Sequence, residues 1–254
     1  MRVTVLDHGY LALVESWGSD ERIVEAARMS TGKGFLRWDA GPCPLCSPDG
    51  TANGSGCYAC EGKGAVRGDA VLLKRLWDAK HATPFEMGGI VIEVQAPIFV
   101  FREWHRHRTQ SYNEMSARYV PLPDVNYVPS VERLLINSKT NKQAGTVKDA
   151  AELTEGGAIT FRLSLRRVYA EAEALYQAAL QSGVPKELAR VHLPVGRYSR
   201  MRASANLRNW LAFLTLRMDS AAQWEIRQYA NAVGEIVAKV FPRTWELFLE
   251  GRAK

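Results

Sequence analysis

The sequence predicts an α+β protein: a helix-rich mixed domain with a small β-sheet and a compact cysteine-bearing insertion. Three observations carry that expectation. Several stretches show helical apolar spacing, two β-rich runs fall at 90–94 and 98–101, and a glycine-dense stretch at 35–68 holds all four cysteines. The 254 residues suit one domain over 1–254 with a small module, 35–68, set inside it.

Residues 20–30 read as a first helix, with Asp20 as N-cap and Ile23, Val24, Ala27 and Met29 as its apolar face. Gly32 and Gly34 break it, and the insertion follows. Helical spacing returns at Asp69 with Val71, Leu72, Leu76 and Trp77. The runs 90–94 and 98–101, separated by Gln95-Ala96-Pro97, predict neighbouring strands or one bent strand. Residues 121–148 are rich in Pro, Asn and Lys and read as a surface loop. A long amphipathic helix is expected over 158–181, with Phe161, Leu165, Val168, Ala172, Leu175, Tyr176 and Ala179 as its stripe and Gly183 as its stop. Pro185 suits the first turn of a further helix that ends before Pro194. Helices at 205–217 and 221–240 then finish before Pro242.

Composition narrows the function classes. A hydrophobic fraction of 46% is ordinary for a globular chain, and its longest apolar stretches, such as 96–101, are too short to cross a bilayer. The N-terminus turns polar within a few residues, which predicts no secretory signal and a reducing cytoplasm. The net charge of +6 favours anionic partners. Between Arg190 and Arg217 stand six arginines and no acid, among apolar Trp210, Leu211, Phe213 and Leu214. Arginines on such a segment suit fixed donors for phosphate or carboxylate; a solvated basic face or a nucleic-acid surface is the alternative.

The cysteines form CxxC-x10-CxxC: Cys43, Cys46, Cys57 and Cys60. That spacing can place four thiolates tetrahedrally around a structural Zn²⁺, a closed shell with no catalytic position. Disulfides and a redox pair are the alternatives, and a reducing compartment disfavours disulfides. Cys60-Glu61-Gly62-Lys63-Gly64 also resembles one unit of the CxxCxGxG knuckles of chaperone zinc domains. If all four thiols hold metal, none is left to act as a nucleophile. No GxGxxG follows a strand, and Gly62-Lys63-Gly64 lacks P-loop spacing, so no separate Rossmann or ATP domain is expected.

The most informative stretch is Arg106-His107-Arg108-Thr109-Gln110-Ser111-Tyr112-Asn113-Glu114-Met115-Ser116-Ala117-Arg118-Tyr119. Its arginines can grip a phosphate while Asn, Ser and Glu orient a ribose or heterocycle; an internally satisfied polar turn is the alternative. The segment is similar, without a gap, to the RHR-x7-S signature of the flavin-dependent thymidylate synthases, with Ser116 at its end. Ala27-Arg28-Met29-Ser30 resembles that family's flavin-contact segment, and His81 to Glu86 its HxxPFE element. The stretches 183–190, 206–208 and 216–219 fall in family order, so the resemblance covers 1–32 and 69–250.

The resemblance implies reductive methylation of dUMP to dTMP, with FAD as cofactor, NADPH as reductant and 5,10-methylenetetrahydrofolate as carbon donor. It implies Arg217 as the catalytic group, stabilising charge that develops on the pyrimidine. dUMP would be bound by Glu103, Arg106, Glu114, Ser116, Ala117, Arg118, Arg190 and Arg217. FAD would be bound by Ser30, Thr83, Arg106, His107, Arg108, Glu114, Asn206 and Arg208. His81 would place folate or flavin, or serve as a partly buried structural histidine. A homotetramer with shared active sites is implied, with no membrane and no nucleic-acid partner. Glu103 stands where the family usually has Gln, Ala212 replaces a flavin-contacting Asn, and Met87 and Ala221 stand where His is common. The rival readings are a zinc-ribbon nucleic-acid-binding protein and a nucleotide-binding family member without turnover.

Overall fold

The computed structural model describes residues 1–46, 57–137, 141, 144–148 and 150–252. The connection 47–56 inside the insertion, and part of the expected loop at 121–148, lie outside the described residues.

In chain order the strands are β1 (Arg2–Val5), β2 (Gly9–Trp17), β3 (Gly41–Pro42), β4 (Ala65–Val66), β5 (Gly89–Pro97), β6 (Ser111–Glu114) and β7 (Tyr198–Asn206). The helices are α1 (Asp20–Arg28), α2 (Asp69–Asp78), α3 (Ile98–Trp104), α4 (Val131–Leu135), α5 (Glu155–Gln181), α6 (Lys186–Ala189), α7 (Leu207–Arg217), α8 (Trp224–Val240) and α9 (Pro242–Arg252). A five-stranded sheet runs β1-β2-β5-β7-β6, and β3 and β4 pair separately within the insertion. The β1–β2 hairpin pairs Val5 with Gly9. A side chain at Gly9 would overlap the Tyr229 hydroxyl, which donates to the Gln95 carbonyl at 2.8 Å.

The chain divides into two compact units. One comprises Met1–Ala12, Ile92–Ala203 and Leu216–Ala232. Its core is built from Val94, Val100, Trp104, Tyr176, Tyr198 and Tyr229, all buried. The other comprises Leu13–Val91, Ser204–Thr215 and Val233–Lys254, around buried Ile23, Leu73, Phe85, Trp210, Phe213 and Phe241.

Several elements differ from expectation. The run 98–101 is helical, not extended. β5 continues through Gln95 to Pro97, and from there Val100, Phe101 and Trp104 are buried at helical spacing while Arg102 turns out. β1, β2, β7 and α9 were not anticipated. In β7, Met201, Ala203 and Ala205 point inward and Arg200 and Arg202 outward, a period of two masked by the arginines. The helix expected at 205–217 therefore starts only at Leu207. Ser19, not Asp20, caps α1: its hydroxyl accepts from the Arg22 amide. α5 starts earlier than expected, at Glu155, where the Thr154 side chain accepts from the Gly157 amide. Its expected apolar stripe splits. Tyr176 is buried, while Phe161, Val168 and Leu175 are 48%, 50% and 58% exposed.

Candidate active site

The Arg106–Arg108 stretch is a tight turn joining α3 to the edge strand β6, and Ser116 and Arg118 follow directly after β6. Buried and half-buried groups brace the turn from inside. The Trp104 indole donates to Gln110 Oε1 at 3.1 Å, and the Tyr112 hydroxyl donates to the His107 carbonyl at 2.7 Å. Burial pushes the Tyr112 phenol well above its ordinary range, so it stays a donor. With the turn fixed, Arg106 and Arg108 point to solvent and His107 packs inward.

Arg217, the last residue of α7, is gripped on all three guanidinium nitrogens. Its Nε donates to His107 Nε2 at 2.8 Å, Nη1 to Glu103 Oε2 at 2.6 Å, and Nη2 to the Glu103 carbonyl at 3.0 Å. Glu103 reaches it from α3. Because Nε2 of His107 accepts, its proton sits on Nδ1. Burial, then the Arg217 charge, holds the imidazole down at about 4, so it is neutral near pH 7. The result is a cation whose direction is set before any ligand arrives.

A second group lies after β6. The Ser116 hydroxyl accepts from the Arg118 amide at 3.3 Å, and Arg118 Nε donates to Glu187 of α6 at 3.1 Å. Lys186 Nζ donates to the Tyr119 carbonyl at 2.9 Å, which docks α6 on this segment. Arg190 stands three residues on from Glu187, at same-face spacing. Glu114 is half-buried in β6 and Ala117 is buried.

Most of the acid-free basic span at 190–217 is neutralised by acids from elsewhere in the chain. Arg197 is buried, donating to Asp124 at 2.6 Å and pairing with Glu173. Arg202 pairs with Glu93, Arg208 with Glu86, and Arg217 with Glu103.

The second unit holds a cavity of about 520 Å³ between α2, α7 and α9. Apolar Leu76, Phe85, Leu211 and Phe248 line it, with Lys80, His81, Arg208 and Arg252 among the polar groups. A smaller cavity, about 360 Å³, brings Ala27 of α1 beside His81 and Thr83. Thr83 opens a 3-10 turn that ends at Glu86, the partner of Arg208. Asn206 Oδ1 accepts from the Asn209 amide at 3.0 Å and so caps α7, and the Ser30 hydroxyl donates to the Ala27 carbonyl at 3.3 Å.

In the insertion, the sulfurs of Cys43, Cys46, Cys57 and Cys60 all lie within 4.8 Å of one another. The Cys43–Cys57 and Cys46–Cys60 separations are 3.8 and 3.5 Å. A tetrahedron of thiolates with Zn–S bonds of about 2.3 Å has S···S edges of about 3.8 Å. The spacing thus fits four ligands and is far too long for a disulfide. Amides of Cys60 and Ala59 pull the Cys57 thiol down to about 6, and the Cys60 sulfur pushes Cys46 up to about 12.

Comparison with known proteins then decides the family. The family profile described as "Thymidylate synthase complementing protein" matches residues 12–243. Flavin-dependent thymidylate synthase of Thermus thermophilus is 39% identical over 98% of this chain and 79% of its own length. The chain belongs to the flavin-dependent thymidylate synthase family. The synthase of Thermosipho africanus is 35% identical, covering 98% of this chain and 95% of its own. Among solved structures, the UMP/dUMP methylase PolB from Streptomyces cacaoi, bound with 5-Br UMP, has a TM-score of 0.74 at 29% identity, covering 98% and 96% of the two chains. The same methylase bound with 5-Br dUMP gives 0.73 at 30% identity, covering 98% and 97%.

Within this flavin-dependent synthase the first unit thus gathers Glu103, His107 and Arg217 around one guanidinium, and Ser116 and Arg118 beside α6. In the second unit, His81, Arg208 and Ala212 line the larger cavity, and His81 and Thr83 the smaller. The supporting Trp104, Gln110, Tyr112 and Glu187 were not singled out in the sequence. Tyr112 and Gln110 stand inside the quoted signature, where an amide and an aromatic beside a turn were the available signal. Glu187 stands inside the 183–190 stretch, but its pairing with Arg118, distant in sequence, was not marked there.

Proposed function

We propose that this chain converts dUMP to dTMP by reductive methylation at C5 of the uracil ring. FAD is its cofactor, 5,10-methylenetetrahydrofolate its carbon donor and NADPH its reductant. The observation that supports this best is Arg217, aimed by Glu103 and His107 from within the family signature. The residues present also suit the flavin: an apolar cavity edged by Lys80, Arg208 and Arg252 matches a flat heterocycle carrying a pyrophosphate. When bound, FAD supplies the redox chemistry and mediates the carbon transfer.

The protein's own residues bind, orient and stabilise charge. Arg217 stabilises negative charge developing on the uracil as its ring is activated. The dUMP set is Glu103, Arg106, Glu114, Ser116, Ala117, Arg118, Arg190 and Arg217, with Glu187 giving up Arg118 to the incoming phosphate. The FAD set is Ser30, Thr83, Arg106, His107, Arg108, Glu114, Asn206 and Arg208. All four cysteines lie in one cluster, so activation proceeds without a thiol nucleophile.

Residues 1–254 form one synthase domain, and 35–68 is an insertion whose Cys43, Cys46, Cys57 and Cys60 hold one structural Zn²⁺. The working form is a homotetramer with shared sites, for which the exposed apolar face of α5 is an interface. No helix among the described residues is long and apolar enough to cross a membrane. A reducing cytoplasm suits the thiolate site.

Purified protein is expected to show the visible bands of bound oxidised flavin. With NADPH and the folate it is expected to release tritium from 5-tritiated dUMP. A colourless protein, or a flavoprotein that releases no tritium, overturns the reading.

A further inference from the structure

The described parts of the insertion are bonded to each other and, at the end nearest α1 and α2, to those two helices. At the cysteine end, the Cys43 amide donates to the Gly64 carbonyl at 2.9 Å, and β3 pairs with β4. Nearer the helices, the amides of Asp69 and Ala70, which open α2, donate to the carbonyls of Arg37 and Trp38 at 2.7 and 3.1 Å. Gly68 makes that closure possible: its φ is +86°, and a Cβ there would strike the Trp38 carbonyl.

Leu36 joins the two ends. Its side chain packs on Cys43, Ala59 and Cys60, while its amide donates to Asp69 Oδ2 at 2.7 Å. Asp69 is fully buried and ion-pairs with Arg28, the last residue of α1. Arg28 in turn holds the next stretch of chain. Its Nη1 donates to the Gly34 carbonyl at 2.9 Å, and its own carbonyl accepts from the Thr31 hydroxyl at 3.0 Å. Lys33 of that stretch also reaches Glu61, next to Cys60, at 3.2 Å.

Among the described residues, the packing at the cysteine end is slight. β3 and β4 are two residues each, too short to be stable alone, and two of the three buried residues of this small core are themselves cysteines. In such a module the free energy of metal binding becomes folding free energy.

We propose that Zn²⁺ at Cys43, Cys46, Cys57 and Cys60 sets the conformation of residues 29–34, through Leu36 and the Asp69–Arg28 ion pair, and thereby tunes how tightly the enzyme retains flavin. The flavin part rests on the reading of Ser30 given above. Asp69, fully buried, and Arg28, paired with it, are positioning residues that act through the backbone carrying Ser30.

The test compares the whole wild-type protein with Cys46→Ser/Cys57→Ser and with Asp69→Asn, by elemental analysis, hydrogen exchange and flavin titration. Wild type is expected to carry one zinc per chain. The double cysteine variant is expected to lose it, to exchange the amides of residues 29–36 faster, and to bind flavin about tenfold more weakly, an ordinary size for coupling between sites. Asp69→Asn is expected to keep its zinc and still show both changes. If the cysteine variant fails to fold, chelation of zinc from the folded wild-type protein supplies the same comparison. Zinc lost with exchange at 29–36 and flavin affinity unchanged overturns the coupling. Purified protein with iron, or with four free thiols and no metal, overturns the metal site. If wild type binds no flavin, the proposed function fails, and the exchange data alone decide the coupling.

Discussion

Arg217 shows how a cation can be aimed without being used up. Glu103 and His107 occupy its three nitrogens, and the neutral imidazole adds an acceptor without adding charge. Arg217→Ala is expected to leave a folded protein whose turnover falls by a factor of about 10²–10³, as for loss of one charge-stabilising donor. Near-normal tritium release by the folded variant would remove Arg217 from the reaction. The same pair makes a pH signature. His107 in the folded protein titrates at about 4, below its ordinary 6.5. The unfolded chain therefore takes up the proton first, and this contribution to stability declines as pH falls from 6.5 towards 4. Urea midpoints of wild type are expected to drop across that window more steeply than those of His107→Gln; parallel curves would remove His107 as the cause. In Arg217→Ala, with the guanidinium charge gone and the Glu103 carboxylate left beside it, the imidazole is expected to titrate higher, as followed by NMR. The signature itself was legible in the sequence down to single residues. The clasp on Arg217 was not, since its ion pair with Glu103 spans more than a hundred residues.

At the scale of elements, legibility followed whether the stabilising partner was local. α1, α2, α5 and α8 carry their apolar spacing within themselves and were found. α9 was missed because its N-terminus is capped from the far end of the chain. The Asp20 carboxylate accepts from the Arg243 amide at 2.8 Å, the Thr244 amide at 3.2 Å and the Thr244 hydroxyl at 2.6 Å. Pro242, read as a stop, is instead the first residue of that helix. Asp20→Ala would strand these buried donors and is expected to cost about 2–3 kcal/mol of stability. Denaturant unfolding measures this, and a loss below about 0.5 kcal/mol, typical of a neutral surface change, would refute the capping role. α3 was missed for a different reason: β-branched and aromatic residues after a strand look extended until Trp104 completes the helical spacing.

At the scale of the whole molecule, charge and apolar surface behave oppositely. The basic span read from the sequence as open to anions is largely paired internally, whereas the apolar stripe of α5 leaves Phe161, Val168 and Leu175 exposed in the single chain. Sequence periodicity reports that a face is apolar but not whether its cover comes from the same chain. Val168→Glu with Leu175→Glu is expected to split the proposed tetramer into smaller species by light scattering and to lower turnover with it; an unchanged mass would place the interface elsewhere. The insertion offers a last consequence at this scale. Its incoming and outgoing ends are hydrogen-bonded side by side at Arg37–Trp38 and Asp69–Ala70, so the chain leaves the synthase fold and returns at almost one point. Closing such a loop costs little more entropy when it is long than when it is short. A segment with adjoining ends can therefore grow or shrink without rerouting the chain on either side of it.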